Sequence, residues 1–158
     1  MGEVTKLFWT DIESCCIELC NKIQELSYNV EAIISVQRGG CIPGVIISHI
    51  LSVDEFYTIG IRTTSSESIR AIRYEHPILL VPDTLENITG KNVLIVDDVT
   101  NTGNTLKYAK REIMKYAPNK CLTSVLIWDG DNSSKCMADL FARYSPYWVV
   151  FPWEGKQN

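Results

Sequence analysis

The sequence predicts an α/β protein in which a mainly parallel sheet is flanked by helices. Three observations carry this. Short, apolar, β-branched runs recur along the chain, each run ends in a glycine-rich or polar turn, and helical patterns stand between the runs. The first element is an amphipathic helix: Thr10-Asp11-Ile12-Glu13 reads as a capping box, and Ile12, Cys16, Leu19, Ile23 and Leu26 recur at helical spacing. Residues 32–36 (AIISV) form a strand stopped by Gly39 and Gly40, and 43–51 form a helix with Pro43 in its first turn. Residues 56–61 are a further strand, followed over 62–70 by a polar Ser/Thr-rich loop without an apolar period. A strand is predicted at 78–81 and another at 93–96. A polar loop then opens a helix over 103–116, which Pro118 ends. The apolar runs 122–128 and 148–151 complete the set.

The 158 residues match a single domain, 1–158, large enough to bury a core. Hydrophobic residues make up 46% and charged residues 22%, which excludes a disordered or fibrous chain. A net charge of −4 argues against a nucleic-acid or anionic-membrane surface, so a polyanion must be held by a local site. The six cysteines do not read as a disulfide scaffold, because Cys15 and Cys16 are adjacent and Cys20 lies one turn further on. No C-x-x-C pair occurs and His49 and His76 lack zinc spacing, so the cysteines are expected to be small buried hydrophobes in a reducing cytoplasm. No secretion signal is read, and no apolar run approaches the ~20 residues of a membrane span.

Parallel sheets bind ligands at the carboxyl ends of their strands, so the chemistry is expected in the loops there. The most informative loop follows the strand at 93–96 and runs Asp97-Asp98-Val99-Thr100-Asn101-Thr102-Gly103-Asn104-Thr105. Two adjacent carboxylates at a strand end can accept hydrogen bonds from paired sugar hydroxyls or orient hydrated Mg²⁺. Backbone N–H groups at the start of a helix, with threonine hydroxyls beside them, make a cradle for a phosphate monoester. Together they fit a sugar phosphate, whereas either half alone is equally an ordinary capped turn. Neither G-x-x-x-x-G-K-[ST] nor G-x-G-x-x-G occurs, so a nucleoside-triphosphatase or dinucleotide site lacks its requirement.

The stretch from Val93 to Leu106 resembles the phosphoribosyl pyrophosphate (PRPP) signature of type I phosphoribosyltransferases. Val36-Gln37-Arg38-Gly39-Gly40 is similar to the family's pyrophosphate loop, and Tyr147-Trp148-Val149-Val150-Phe151-Pro152-Trp153-Glu154 to the hood of short purine enzymes. Small microbial hypoxanthine and xanthine-guanine enzymes are the nearest group. The resemblance implies the type I fold with a small C-terminal hood, formed by parts of the N- and C-terminal segments. It implies transfer of the phosphoribosyl group from PRPP to a nucleobase with Mg²⁺, in a homodimer or higher assembly.

By the same resemblance Asp97 and Asp98 face the ribose, while Thr100, Asn101, Thr102, Gly103, Asn104 and Thr105 hold the 5′-phosphate. Arg38, Gly39, Gly40 and Arg62 meet pyrophosphate, and Asp97, Asp98 and Glu154 serve the metal. Asp129, Trp148 and Val149 meet the base, with Trp148 stacking on it. The peptide before Arg38 is often cis in the family, and the loop at Ser65-Ser66 matches its lid, without the usual Ser-Tyr pair. Cys41, at a helix start, is read as packing rather than as an activated thiol, and no catalytic role falls to either histidine.

Two departures bear on the base. Asn101 replaces the usual Asp thought to handle the proton on the purine N7, and an amide cannot ionise. Asp129 stands where the 6-oxopurine enzymes carry a Lys that donates to O6; a carboxylate accepts instead, which favours an amino-bearing base such as adenine. Alternatively Lys135 supplies the donor and Asp129 is a turn residue in Asp129-Gly130-Asp131-Asn132. A non-catalytic PRPP-binding regulator on the same fold stays as the second class of function.

Overall fold

The computed structural model describes residues 3–64, 73–130 and 138–154, and for 62–64 and 73–76 the backbone only. Its strands form where apolar residues run together. β2 (Ala32–Val36) is buried along its whole length, and in β5 (Asn92–Thr100) burial runs from Val93 to Asp97. Parallel strands covered on both faces read as continuous apolar runs, and these two do. With β3 (Phe56–Thr64), β4 (Arg73–Leu80), β6 (Lys120–Trp128) and β7 (Leu140–Tyr144) they form a six-stranded sheet of order β4-β3-β2-β5-β6-β7. Only the β3–β4 pair is antiparallel. A second, two-stranded sheet joins β1 (Val4–Lys6) to β8 (Trp148–Val150) in parallel, with Thr5 opposite Val149.

Alternate strand residues feed two cores. Ile33, Leu94 and Leu126 pack with α1 (Trp9–Glu25) and Ile47 of α2 (Cys41–Leu51) on one face. Ile34, Ile95 and Val125 pack with Leu106, Ala109 and Ile113 of α3 (Asn104–Ile113) on the other. The period-two alternation of strands thus decides which helix each residue meets. In α1 the buried stripe is Ile12, Cys15, Cys16, Leu19, Cys20 and Ile23. The described cysteines, Cys15, Cys16, Cys20, Cys41 and Cys121, are free. Burial pushes the Cys15 thiol up to about 11 and that of Cys16 to about 12, so both behave as apolar groups.

Several expectations are corrected. The N-cap of α1 is Phe8, and the Asp11 carboxylate accepts its N–H at 2.8 Å, so the helix begins ahead of Thr10. Leu26 lies past the helix and is 57% exposed. β3 continues through Arg62 to Thr64, with Arg62 opposite Ile78, so the polar stretch opens as strand. Ser65, Ser66 and Lys135 lie outside the described residues, as do the side chains of Arg62 and His76. The helix expected to reach Tyr116 tightens into a 3-10 turn at Met114–Tyr116, and Ala117 takes φ 51° ahead of Pro118. β1 and β7 were not expected: three residues show no period, and edge strand β7 carries Arg143 among its apolar residues.

Arg143 ties β7 to α1, with Nη2 2.8 Å from Glu18 Oε1 and Nη1 3.5 Å from Asp11 Oδ1. All three side chains are about a third exposed, so water screens the pair. Arg143→Ala is expected to cost at most about 1 kcal/mol, read as a small fall in the urea midpoint at unchanged slope.

Candidate active site

The strand order places the site. From β2 the chain crosses to β3 on one side, while β5 and β6 lie on the other, and the crevice opens where β2 and β5 end side by side. Such a switch point is where open α/β sheets bind ligands. The turn leaving β2 is Gln37-Arg38-Gly39-Gly40, and the Gln37–Arg38 peptide is cis. A Cβ on Gly40 would lie 2.6 Å from Val96 O, 2.7 Å from Val36 O and 2.9 Å from the Asp97 Cα. A Cβ on Gly39 would lie 1.7 Å from Asp98 Oδ2. The glycines therefore let the β2 turn nest against the carboxylates of β5, a close approach that no side chain allows.

Asp97 is 9% exposed; its Oδ1 accepts the Asp98 N–H at 2.9 Å, and Asp98 Oδ1 accepts the Val99 N–H at 2.8 Å. Burial above all, then the charge of Asp98, holds the Asp97 carboxyl well above the usual carboxylate range. Burial also raises Asp98, and the charge of Glu154 adds to it. Cys41 is half-buried, and burial followed by the charges of Asp97 and Asp98 pushes its thiol up, so the helix start does not activate it.

Arg38, Gly39, Ile42, Asp98, Trp153 and Glu154 line a cleft of about 720 Å³. Glu154 is positioned by its turn: its Oε2 accepts the Phe151 N–H at 2.9 Å. Trp153 stacks on buried Phe151 with ring centroids 4.6 Å apart, and Trp9 of α1 stands 6.0 Å away. The aromatic wall is thus Trp153, which was not singled out, although it is the second tryptophan of the run that carries Trp148. Trp148 is 69% exposed and does not line this cleft, and Val149 is buried within the β1–β8 pair. Among the described residues, no three His, Cys, Asp or Glu side chains form a ready metal cage.

The loop after β5 turns at Asn101, Thr102 and Gly103. Gly103 takes φ 75°, a left-handed conformation that opens α3 and that other residues adopt only under strain. Its helix start aims N–H groups outward, while Thr102 Oγ1 accepts the Asn104 N–H at 3.4 Å and Thr100 is buried. Asn101 Nδ2 donates to Asp129 O at 3.0 Å, and the Asp129 N–H donates to Thr100 O at 3.1 Å. Asn101 and Asp129, the two departures, are therefore neighbours, and the Asn101 amide makes a bond that a carboxylate could not donate.

The profile of the family described as the phosphoribosyl transferase domain matches residues 9–155. A xanthine-guanine phosphoribosyltransferase from Idiomarina loihiensis is 23% identical over 147 residues, 92% of this chain and 84% of that one. A hypoxanthine-guanine phosphoribosyltransferase from Schizosaccharomyces pombe is 30% identical over 120 residues, 68% of this chain and 58% of that one. A solved purine phosphoribosyltransferase from Pyrococcus horikoshii superposes with a TM-score of 0.77 at 28% identity, covering 98% of this chain and 96% of its own. With the β2 turn, the paired carboxylates and the Gly103 loop meeting at one switch point, this chain belongs to the phosphoribosyl transferase domain family.

Proposed function

We propose that this chain transfers the 5-phosphoribosyl group from PRPP to a purine base, releasing pyrophosphate and a nucleoside monophosphate. The observation that carries the reading is the meeting of Arg38 and Gly39 with Asp98 and Glu154 in one cleft at the end of β5, the strand whose following loop turns into α3 at Gly103. Cation and main chain suit a leaving pyrophosphate, the carboxylates suit ribose hydroxyls, and the N–H groups of the loop Thr100, Asn101, Thr102, Gly103, Asn104 and Thr105 suit the 5′-phosphate.

The bond from C1′ to the pyrophosphate oxygen breaks as a base nitrogen bonds to C1′, and the proton that nitrogen carried passes to an oxygen of the departing pyrophosphate or to solvent. No covalent nucleophile is required, and the chain's work is to hold the reactants in line and keep water out. Arg38 binds the leaving group at the β2 turn, and Trp153 offers a flat apolar wall. Asn101 cannot take the proton and instead ties the phosphate loop to the end of β6.

The donor set fits Mg²⁺. Asp98 and Glu154 offer hard carboxylate oxygens to one cleft, where the charge of Glu154 bears on Asp98, and Mg²⁺ characteristically takes one or two carboxylates plus substrate oxygens and water. When bound it neutralises charge on the departing pyrophosphate. The resemblance supports a homodimer or higher assembly in the cytoplasm; among the described residues no helix is long and apolar enough to cross a membrane.

Incubation with PRPP, Mg²⁺ and adenine, hypoxanthine, guanine or xanthine, followed for pyrophosphate and nucleotide, tests the reading. Pyrophosphate released in step with nucleotide on at least one base is expected. PRPP binding without turnover on any base would instead favour the regulator.

A further inference from the structure

Trp153 and Glu154 reach the cleft from a short turn past β8. The turn is closed on itself: the Glu154 N–H donates to Phe151 O at 3.2 Å, and Glu154 Oε2 accepts the Phe151 N–H at 2.9 Å. One carboxylate oxygen is thereby committed to the turn, and the other is what Glu154 offers to the cleft. A turn closed in this way moves as a unit, so the place of the Glu154 side chain is set by what grips that unit from outside.

Two rings grip it. Phe151 is 1% exposed in the core that α1 covers, and Trp153 lies nearly parallel to it, at 17° and 4.6 Å. Trp9, the first residue of α1, meets Trp153 from a different element, with ring centroids 6.0 Å apart and planes at 51°. Both separations lie in the range at which aromatic pairs attract. Backbone pairing brings Trp9 there: Thr5 lies opposite Val149 and the Leu7 N–H donates to Val150 O at 3.0 Å, so the two segments run side by side until α1 begins. Trp9 nevertheless stays 58% exposed. A ring that buries less than half of its surface adds little to the core, and the ring it touches belongs to the neighbour of Glu154.

We propose that Trp9 is a positioning residue: by bracing Trp153 it sets where the Glu154 carboxylate stands in the cleft shared with Asp98 and Arg38, and so how tightly PRPP with Mg²⁺ is held there. Trp9 does not line the cleft, so it acts through Trp153 rather than on the substrate. The charge of Glu154 bears on Asp98, so a loose turn lets the two carboxylates swing apart, whereas a cation and a polyphosphate shared between them need a fixed separation. A turn already held before binding leaves less motion to be lost when the ligand arrives.

The inference rests on the PRPP reading of the cleft, and its primary readout is binding rather than turnover: the affinity for PRPP with Mg²⁺, from the ligand-induced rise in melting temperature, beside KM and kcat. Trp9→Ala is expected to weaken that affinity about 3- to 10-fold, the scale of one aromatic pair, with kcat and the base KM changed less. Trp9→Phe keeps a ring and is expected to restore most of it. Trp9→Leu, which keeps apolar bulk without a ring, carries the same expectation as Trp9→Ala should that variant not fold. In a Glu154→Gln background, Trp9→Ala is expected to add no more than about twofold, because the charge it positions is already gone. A lower melting temperature for Trp9→Ala at unchanged PRPP affinity, or a loss fully additive with that of Glu154→Gln, would overturn the inference and leave the enzyme reading standing. Weaker PRPP binding in Trp9→Ala that vanishes in the Glu154→Gln background, in a wild type that turns over no base, would uphold the inference and sink the enzyme reading. No PRPP binding by the wild type would remove both.

Discussion

Replacing Asp98 with asparagine is expected to lower kcat/KM for phosphoribosyl transfer by on the order of 100- to 1,000-fold, the scale set by losing one positioned charged group in an enclosed site. The same class of change is expected to stabilise the ligand-free protein. Asp97 and Asp98 are crowded against the Gly39-Gly40 turn, and burial raises both carboxyls above their unfolded values. With the folded pKa raised, the folded state binds more protons than the unfolded one. Stability therefore falls as pH rises from the unfolded value, 3.8, through the raised folded values. At neutral pH the two buried, raised carboxyls are a standing cost. Asparagine removes the charge and keeps an oxygen to accept the N–H of Asp98 or Val99.

Asp97→Asn should accordingly melt a few degrees higher than the wild type at pH 7, with the gain shrinking as pH falls toward 4. Melting curves at the two pH values check this, and a lower melting temperature for Asp97→Asn at pH 7 would contradict it. PRPP with Mg²⁺ should raise the wild-type melting temperature more than that of Asp98→Asn, because only binding to the folded state adds stability.

Gly40→Ala is expected to be the most damaging single methyl in the chain's switch point. The new Cβ meets main-chain atoms of both β2 and β5, and no side chain can swing away to admit it. Parting the two central strands costs about 3 kcal/mol or more, a fall in melting temperature of about 6–12 °C for a chain of this length. Gly39→Ala is the contrast: its Cβ meets the movable Asp98 carboxylate, so the protein should fold and transfer should fail. Thermal melts alongside the nucleotide assay separate the two, and equal stability of both variants would refute the distinction.

Much of this site was legible in the chain because its chemistry is local. Asp97 to Thr105 is one continuous strand end, turn and helix start, and the spacing of carboxylates, threonines and Gly103 survives folding unchanged. Arg38-Gly39-Gly40 was legible for the same reason, though the purpose of its glycines was not. The resemblance gives them to pyrophosphate, and the fold adds that they let β2 close on β5. The ring that lines the cleft beside Arg38 is Trp153 rather than Trp148, because the chain turns after β8 and stacks Trp153 on Phe151. Trp128 was read as the end of an apolar run; its ring contacts with Phe141 and Tyr144 arise only when β7 closes on it.

By itself the sequence determined the alternation of buried strands and helices and the chemistry of each loop, because periodicity and capping act over a few residues. The tertiary structure alone decided that the β2 turn nests on Asp97 and Asp98, that Glu154 and Trp153 share a cleft with Arg38, and that Asn101 holds Asp129. Each of those depends on strand order and register, which pair segments distant in the chain through backbone hydrogen bonds and side-chain volume that no local pattern encodes.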